Sequence, residues 1–240
     1  MKILNIITSL IFPRTCSLCG RTVSFKENKN ICDDCLQTLP KLEGLFCHKC
    51  SLPLADGGAT CPDCKNSKNI YFETLKAPYV YTGKIRVLIK KIKYSQRPFL
   101  AKDLSKQMAD FIKREHIAEN IDIIIPVPIH WCKNLMRGYN QAALLADCIA
   151  QEINKSFYPK ALLRTKYTKP QFKLKKRQRM ENLENMFEIN KKYADVIKGK
   201  RILLIDDIAT TCSTANQCSK VLKENKAKNI IVAALARTGY

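Results

Sequence analysis

Four Cys-x-x-Cys pairs within the first 65 residues constrain this chain more than any other feature. Two such pairs joined by a short connection place four thiolates at the corners of a tetrahedron, which is the closed ligand set of a structural zinc ion. Pairing within each half is the simplest arrangement, although interleaved pairing fits the same spacing. The eight predicted zinc ligands are Cys16, Cys19, Cys32, Cys35, Cys47, Cys50, Cys61 and Cys64.

Redox chemistry is the alternative explanation of these cysteines. Redox-active pairs usually occur singly at the start of a helix, however, and here four pairs follow one another. A segment of this size with so few apolar residues also needs a metal to hold it together. His48 lies inside the third pair, and we interpret it as a bystander. What such a double zinc ribbon contacts stays open between nucleic acid, protein and its own neighbouring domain.

The first residues of the chain, Met1–Pro13, are apolar. The apolar run is short and lacks a small-residue cleavage site, so we expect an amphipathic helix packed on the fold, with a signal peptide as the minor alternative. No stretch approaches the ~18 apolar residues that a membrane span needs. We therefore expect a cytoplasmic protein without a transmembrane span.

Beyond residue 70 the pattern changes to alternating strands and helices, which predicts two domains, residues 1–70 and 71–240. Apolar positions at helical spacing predict two amphipathic helices, one through Ile85 and Ile92 and one through Leu104 and Ile112. The other elements predicted are strands at Tyr71–Tyr81, Ile123–Val127, Arg201–Ile205 and Ile230–Ala236 and helices at Gln141–Ile153 and Ala215–Glu224. This alternation indicates an α/β domain with a parallel sheet flanked by helices. Ligands of such sheets bind beyond the carboxyl ends of the strands.

The net charge of +21 is unevenly distributed. Residues 1–70 hold nine Lys and Arg against six Asp and Glu, whereas residues 71–240 hold 33 against 15. A solvated lysine-rich face is the plain explanation, but so large an excess favours a polyanion partner. The densest run is Arg164–Arg179, which we interpret as a loop. Its candidate nucleic-acid contacts are Lys166, Lys169, Lys173, Lys175, Lys176, Arg177 and Arg179.

The stretch Arg201–Thr214 combines an apolar strand, two acids and a turn rich in hydroxyl groups that opens a helix. A strand-to-helix turn presents backbone N–H groups and the positive end of the helix dipole, so it can bind a phosphate. Ionised carboxylates accept hydrogen bonds, which suits the two hydroxyls of a sugar. The predicted site for a ribose phosphate comprises Asp206, Asp207, Ile208, Ala209, Thr210, Thr211, Cys212, Ser213 and Thr214.

This stretch resembles the signature of type I phosphoribosyltransferases. No GxxxxGK or GxGxxG motif competes with it. Members of that group usually have glycine where this chain has Cys212, and glycine permits a positive φ or a close backbone approach. The departure predicts a weaker phosphate site and a thiol prone to oxidation beside a helix N-terminus.

Motifs along nearly the whole chain resemble the ComF family, whose members carry an N-terminal double zinc ribbon. The matching motifs are Phe12-Pro13 before the first pair, Leu52-Pro53-Leu54, Lys93-Tyr94, Pro126-Val127-Pro128, Arg137-Gly138-Tyr139-Asn140-Gln141, and Arg164 to Phe187. The resemblance implies a type I phosphoribosyltransferase fold, binding of phosphoribosyl pyrophosphate with Mg²⁺, and a role in natural transformation. It also implies contact with competence-machinery proteins.

Within that resemblance, Arg137 and Asn140 follow the Ile123–Val127 strand and are expected to face the pyrophosphate as donors. A surface arginine and a helix N-cap are the structural alternatives for these two residues. The function we expect is binding of phosphoribosyl pyrophosphate and of single-stranded DNA. An active phosphoribosyltransferase is the alternative, but the sequence shows no acceptor site and identifies no catalytic residue.

Overall fold

A computed structural model describes residues 14–23, 29–55, 58–67, 69–165 and 186–239. The predicted N-terminal helix and most of the basic run therefore lie outside the described residues. Within them the N-terminal part contains two short helices, α1 (Asp33–Gln37) and α2 (Pro62–Asn66). Isolated backbone bridges, Thr15 with Thr22 and Phe46 with Pro53, accompany the first and third Cys-x-x-Cys pairs.

The elements after residue 70 follow the predicted alternation. They are strands β1 (Thr74–Lys76) and β2 (Tyr79–Val80), helices α3 (Gly83–Tyr94) and α4 (Leu100–Arg114), strand β3 (Ile123–Pro126), helices α5 (Trp131–Arg137) and α6 (Gln141–Glu152), strands β4 (Ser156–Phe157), β5 (Leu162–Arg164) and β6 (Phe187–Ile189), helix α7 (Ala194–Ile197), strand β7 (Arg201–Ala209), helix α8 (Ser213–Glu224) and strand β8 (Asn229–Arg237). Single 3₁₀ turns occur at Ala118–Asn120 and Lys191–Tyr193.

The main sheet is parallel throughout. Its strand order is β1-β8-β7-β3-β4, and β2 also pairs with β8. β7 and β8 form the centre, in register from Arg201 opposite Asn229 to Ala209 opposite Arg237. β5 and β6 form a separate antiparallel pair on either side of the basic run, and the sequence analysis predicted neither strand.

Side chains alternate between the two faces of β7, because successive residues of a strand point in opposite directions. Leu203 and Ile205 join a core with α3, α4 and α6, whereas Ile202 and Leu204 join a second core with α8. Helices thus cover both faces, as predicted. The first core also takes in Cys16 and Cys35 of the first two Cys-x-x-Cys pairs, and Ile31 between those pairs.

The amphipathic helices place their predicted stripes in this core: Ile85, Leu88, Ile89, Ile92, Leu104, Met108, Phe111 and Ile112 are all buried. The boundary between residues 1–70 and 71–240 remains a prediction. No helix among the described residues is long and apolar enough to cross a membrane.

Candidate functional site: two zinc sites beside a strand-to-helix turn

The first cysteine cluster is built from a turn and a helix start. Cys16 and Cys19 flank a turn, Cys32 is the N-cap of α1, and Cys35 lies within that helix. The four sulfurs lie within 4.8 Å of one another, and the Cys19 and Cys32 sulfurs are 3.7 Å apart. A Zn–S bond of about 2.3 Å places tetrahedral sulfurs about 3.8 Å apart, so the cluster fits a Cys₄ zinc site.

The second cluster repeats this arrangement. Cys61 is the N-cap of α2, and its sulfur lies 3.7 Å from that of Cys50. Cys47 and Cys64 complete a group whose sulfurs again lie within 4.8 Å of one another. The cysteines therefore pair within each half, which confirms the simplest assignment. His48 is exposed and belongs to neither group.

The predicted phosphate loop begins later than the sequence indicated. β7 continues past Ile205 through Asp206, Asp207, Ile208 and Ala209, so the prediction that the strand ends at Ile205 was wrong. The strand continues because β8 pairs with it as far as Ala209 opposite Arg237. The turn is only Thr210–Cys212, and α8 starts at Ser213 rather than at Ala215.

Cys212 adopts a left-handed backbone conformation, with φ of 59°. L side chains disfavour this region, and glycine enters it without steric cost. This conformation explains why glycine is usual at this position in type I phosphoribosyltransferases, whose signature the stretch resembles. Cys212 N-caps α8, where the first N–H groups of the helix have no intrahelical acceptor and point toward the turn. The hydroxyls of Thr211 and Ser213 lie 2.8 Å apart beside them.

Asp206 and Asp207 occupy opposite faces of the sheet, since both lie inside the strand. Asp206 is on the α8 face, and its carboxylate accepts a hydrogen bond from the Asp207 N–H at 2.8 Å. Burial raises the pKa of the Asp206 carboxyl to about 7, and the neighbouring charge of Asp207 adds to the rise. The Asp206 carboxyl therefore holds its proton more tightly than an exposed aspartate does.

Asp207 lies on the opposite face and forms an ion pair with Lys93 at the end of α3. The Lys93 Nζ is 2.8 Å from the Asp207 Oδ2, and both side chains are largely buried. The sequence placed Lys93 in a family motif without a role. The structure puts its ammonium at the carboxyl edge of β7, where a cation can face a negatively charged ligand.

Arg137 and Asn140 flank the left-handed Gly138 that ends α5. The Arg137 guanidinium lies over the Tyr94 ring, 5.1 Å from its centroid. Asn140 caps α6: its Oδ1 accepts from the Ala142 N–H at 3.1 Å, and its Nδ2 donates to the Val127 carbonyl at 3.0 Å. Asn140 therefore makes the contacts of a helix N-cap, which is the structural alternative that the sequence analysis gave for it. Its contact with pyrophosphate stays a prediction, as does that of Arg137.

Arg237 is a residue that the sequence analysis missed. It is 4% exposed at the end of β8, and its Nε donates to the Cys50 carbonyl at 2.9 Å. Its Nη1 donates to the carbonyls of Ala209, at 3.1 Å, and Thr210. A charged residue ending an otherwise apolar strand was the signal that could have revealed it.

The basic run was predicted to bind nucleic acid. Lys166, Lys169, Lys173, Lys175, Lys176, Arg177 and Arg179 all lie outside the described residues. Of the run, Arg164 and Thr165 are placed: Arg164 ends β5, with its guanidinium over the Phe187 ring at 5.6 Å from the centroid.

Known proteins resemble the chain in both parts. A model of the double zinc ribbon domain matches residues 7–65. "DNA utilization protein YhgH" of Escherichia coli O157:H7 is 27% identical over 232 residues, which cover 95% of this chain and 99% of that protein. "Competence protein F" of Haemophilus influenzae is 26% identical, covering 94% and 98%. "Competence protein ComFC" of Bacillus subtilis is 25% identical, covering 89% and 86%.

Among solved structures, the glutamine phosphoribosylpyrophosphate amidotransferase of B. subtilis resembles the chain with a TM-score of 0.41 and 16% identity, over 61% of this chain and 30% of that one. The purine phosphoribosyltransferase of Pyrococcus horikoshii has a TM-score of 0.35 and 17% identity, over 57% and 73%. The double zinc ribbon with its two Cys₄ sites and the relatives similar over nearly the full length support a ComF family protein.

Proposed function

We propose that this protein binds phosphoribosyl pyrophosphate with Mg²⁺, binds single-stranded DNA, and acts in the uptake or use of DNA. The carboxyl edge of β7 carries the proposal, because it brings the Thr210–Cys212 turn, the acids and Lys93 together. Relatives named for competence and for DNA utilization support the setting. Cytoplasmic location and contact with competence-machinery proteins belong to the same proposal.

The turn supplies the phosphate subsite. Thr210 and Thr211 are exposed, so their hydroxyls and the N–H groups at the start of α8 are open to a ligand. The helix dipole adds positive potential at the same place. A phosphate monoester of a sugar bound there leaves the sugar over the end of β7.

Asp207 and Lys93 supply the neighbouring subsite. The ammonium of Lys93 attracts the pyrophosphate, and the carboxylate of Asp207 is an oxygen ligand of the kind that Mg²⁺ prefers. Asp206 lies one residue away on the other face, and its raised pKa keeps part of its population protonated near neutral pH. Asp207 is the acid that we expect to contact the metal ion, because it lies beside Lys93 at the end of α3.

Calorimetric titration tests this subsite. Phosphoribosyl pyrophosphate is titrated into the zinc-loaded protein with and without Mg²⁺, and into the Asp207→Asn and Asp195→Asn variants. Asp195 is an exposed acid in the first turn of α7 and serves as the control. Because hydrogen bonds to charged groups contribute about 1.5–3 kcal/mol, we expect Asp207→Asn to weaken binding about 10- to 150-fold. The proposal fails when the wild type gives no heat, or when both variants bind equally.

Support for DNA binding comes from the exposed surface of α3 and α5. Tyr94 and Trp131 are 70% and 65% exposed, and Arg137 stacks on Tyr94. Sites for single strands combine aromatic side chains, on which bases stack, with cations that follow the backbone. The exposed Arg86 and Lys90 of α3 add charge to this surface.

Fluorescence anisotropy with a labelled oligothymidylate tests DNA binding. We expect the logarithm of the binding constant to fall linearly with the logarithm of the salt concentration, because phosphate contacts release counterions. Trp131→Ala removes a stacking platform worth about 1–3 kcal/mol, so it should weaken binding about 5- to 150-fold. Leu45→Ala, at an apolar residue that is 59% exposed, is the control. Binding that does not respond to salt, or equal losses in the two variants, would contradict the prediction.

A further inference from the structure

Arg237 joins the second zinc ribbon to the turn after β7. Its backbone pairs with Ala209 at the last register position of the two central strands. Its guanidinium then donates in two directions, to the Cys50 carbonyl at 2.9 Å and to the carbonyls of Ala209 and Thr210. Because the guanidinium is planar and rigid, these acceptors are held in a fixed relation to one another.

Cys212 makes a second connection between the same two parts. Its side chain packs against the small core formed by Cys47, Cys50, Leu52 and Cys61 of the second ribbon. Cys212 has a left-handed backbone and is the N-cap of α8, so the contact lies at the start of that helix. The turn is therefore fixed from the ribbon side through both a side chain and its carbonyls.

The first zinc site has a different neighbourhood. Cys16, Cys35 and Ile31 pack in the core with α3 and α4, and the Asn30 N–H donates to Asp103 of α4 at 2.7 Å. The second site, by contrast, has Cys212 of the turn packed against its core. The two zinc sites are thus chemically alike but structurally distinct.

We propose that the second zinc site is part of the phosphate-binding structure, and that Arg237 is the positioning residue through which its occupancy sets the affinity of the turn. This inference rests on the proposed binding of phosphoribosyl pyrophosphate. A ribbon without metal loses its folded thiolate cluster, because such sites fold only with their ion. Cys50 then no longer fixes Arg237, and the turn populates conformations that do not bind. A ligand's apparent affinity falls with the fraction of binding-competent molecules.

Serine variants of equivalent ligands provide the test in the full chain. Cys61→Ser disrupts the second site without changing Cys50, whose carbonyl accepts the hydrogen bond from Arg237, and Cys32→Ser is its counterpart in the first site. Zinc content and circular dichroism establish the state of each variant. Coupling free energies of this kind correspond to about 5- to 150-fold, so Cys61→Ser should weaken phosphoribosyl pyrophosphate binding at least about fivefold, and Cys32→Ser should not. Equal affinities, or equal losses, would overturn the inference.

Hydrogen exchange provides a readout that does not need the ligand. We expect the amides of residues 210–214 to exchange faster in Cys61→Ser than in wild type, with those of α6 unchanged. A wild type that binds no phosphoribosyl pyrophosphate refutes the proposed function. The exchange rates still decide whether the second ribbon orders the turn, because unchanged rates refute the inference.

A further experiment leaves the ligands of both zinc sites unchanged. Arg237→Lys retains the charge but loses the planar fork, and Arg201→Lys is the matched change at the opposite end of the sheet. We expect Arg237→Lys alone to bind phosphoribosyl pyrophosphate more weakly. Since coupling is reciprocal, the ligand should also slow zinc release to a chelator from the second site of the wild type. Release that is unaffected by bound ligand, or variants that behave alike, would count against the inference.

Discussion

Asp206 is a partly buried carboxyl group on the face of the sheet that α8 covers. Burial and the charge of Asp207 raise its pKa to about 7. A group whose pKa is higher in the folded state binds its proton more tightly there than in the unfolded chain. The free energy of unfolding therefore falls as the pH rises from about 4 to about 7, and the whole penalty is present above pH 7.

Asp206→Asn should remove this penalty, because an amide stays neutral and its oxygen can still accept the Asp207 N–H. We expect the variant to exceed the wild type in unfolding free energy by on the order of 2–4 kcal/mol near pH 8, with the difference vanishing toward about pH 4. Urea unfolding followed by circular dichroism measures it, with Asp195→Asn as the control. A gain that is the same at both pH values would show that ionisation is not its cause.

Among the elements, the long periodic ones were predictable and the short ones were not. α3 and α4 carry four-position apolar stripes whose residues are all buried, so their periodicity determines their faces. α5 has seven residues and exposes Trp131, Leu135 and Met136, so it has no buried apolar stripe from which it could be predicted. β5 and β6 are three residues each and are separated by the basic run, and their pairing joins positions far apart in sequence.

The extension of β7 shows why the site itself was only partly predictable. An apolar run that meets Asp206 indicates a strand end, because charged residues are rare inside buried strands. Here β8 continues the pairing, and Lys93 from a distant helix compensates the charge of Asp207. The residue types of the site were visible in the sequence, whereas their separation onto two faces required the strand boundary. The role of Arg237 could not be predicted, because its partner Cys50 lies 187 positions earlier and no local sequence pattern links the two residues.

On the scale of the whole molecule, the first ribbon and the helices share a single core. Ile31 and Leu36 pack in the same cluster as Leu104 and Met108 of α4. Asp103 of α4, itself buried, accepts the N–H of Asn30 at the edge of the ribbon. The ribbon is therefore held to the helical layer by packing and by a buried hydrogen bond.

Asp103→Ala should weaken this attachment and lower the stability of the whole chain. It leaves the Asn30 N–H without its acceptor, so we expect a loss of about 1–3 kcal/mol in unfolding free energy. Asp110→Ala, at an exposed position of the same helix, is the control. Because the core is shared, thermal unfolding should remain one transition at a lower temperature. A separate early transition for the ribbon would contradict the shared core.

The pairing of β8 has a consequence for the order of synthesis. β1 and β2, made soon after the ribbons, both find their sheet partner in β8, which the ribosome makes more than 140 positions later. Until β8 emerges from the exit tunnel, these two strands lack the parallel partner with which they pair in the described part of the chain, and Arg237 has not yet been made. A nascent chain arrested before Asn229 thus carries both thiol clusters but neither a complete sheet nor a fixed turn.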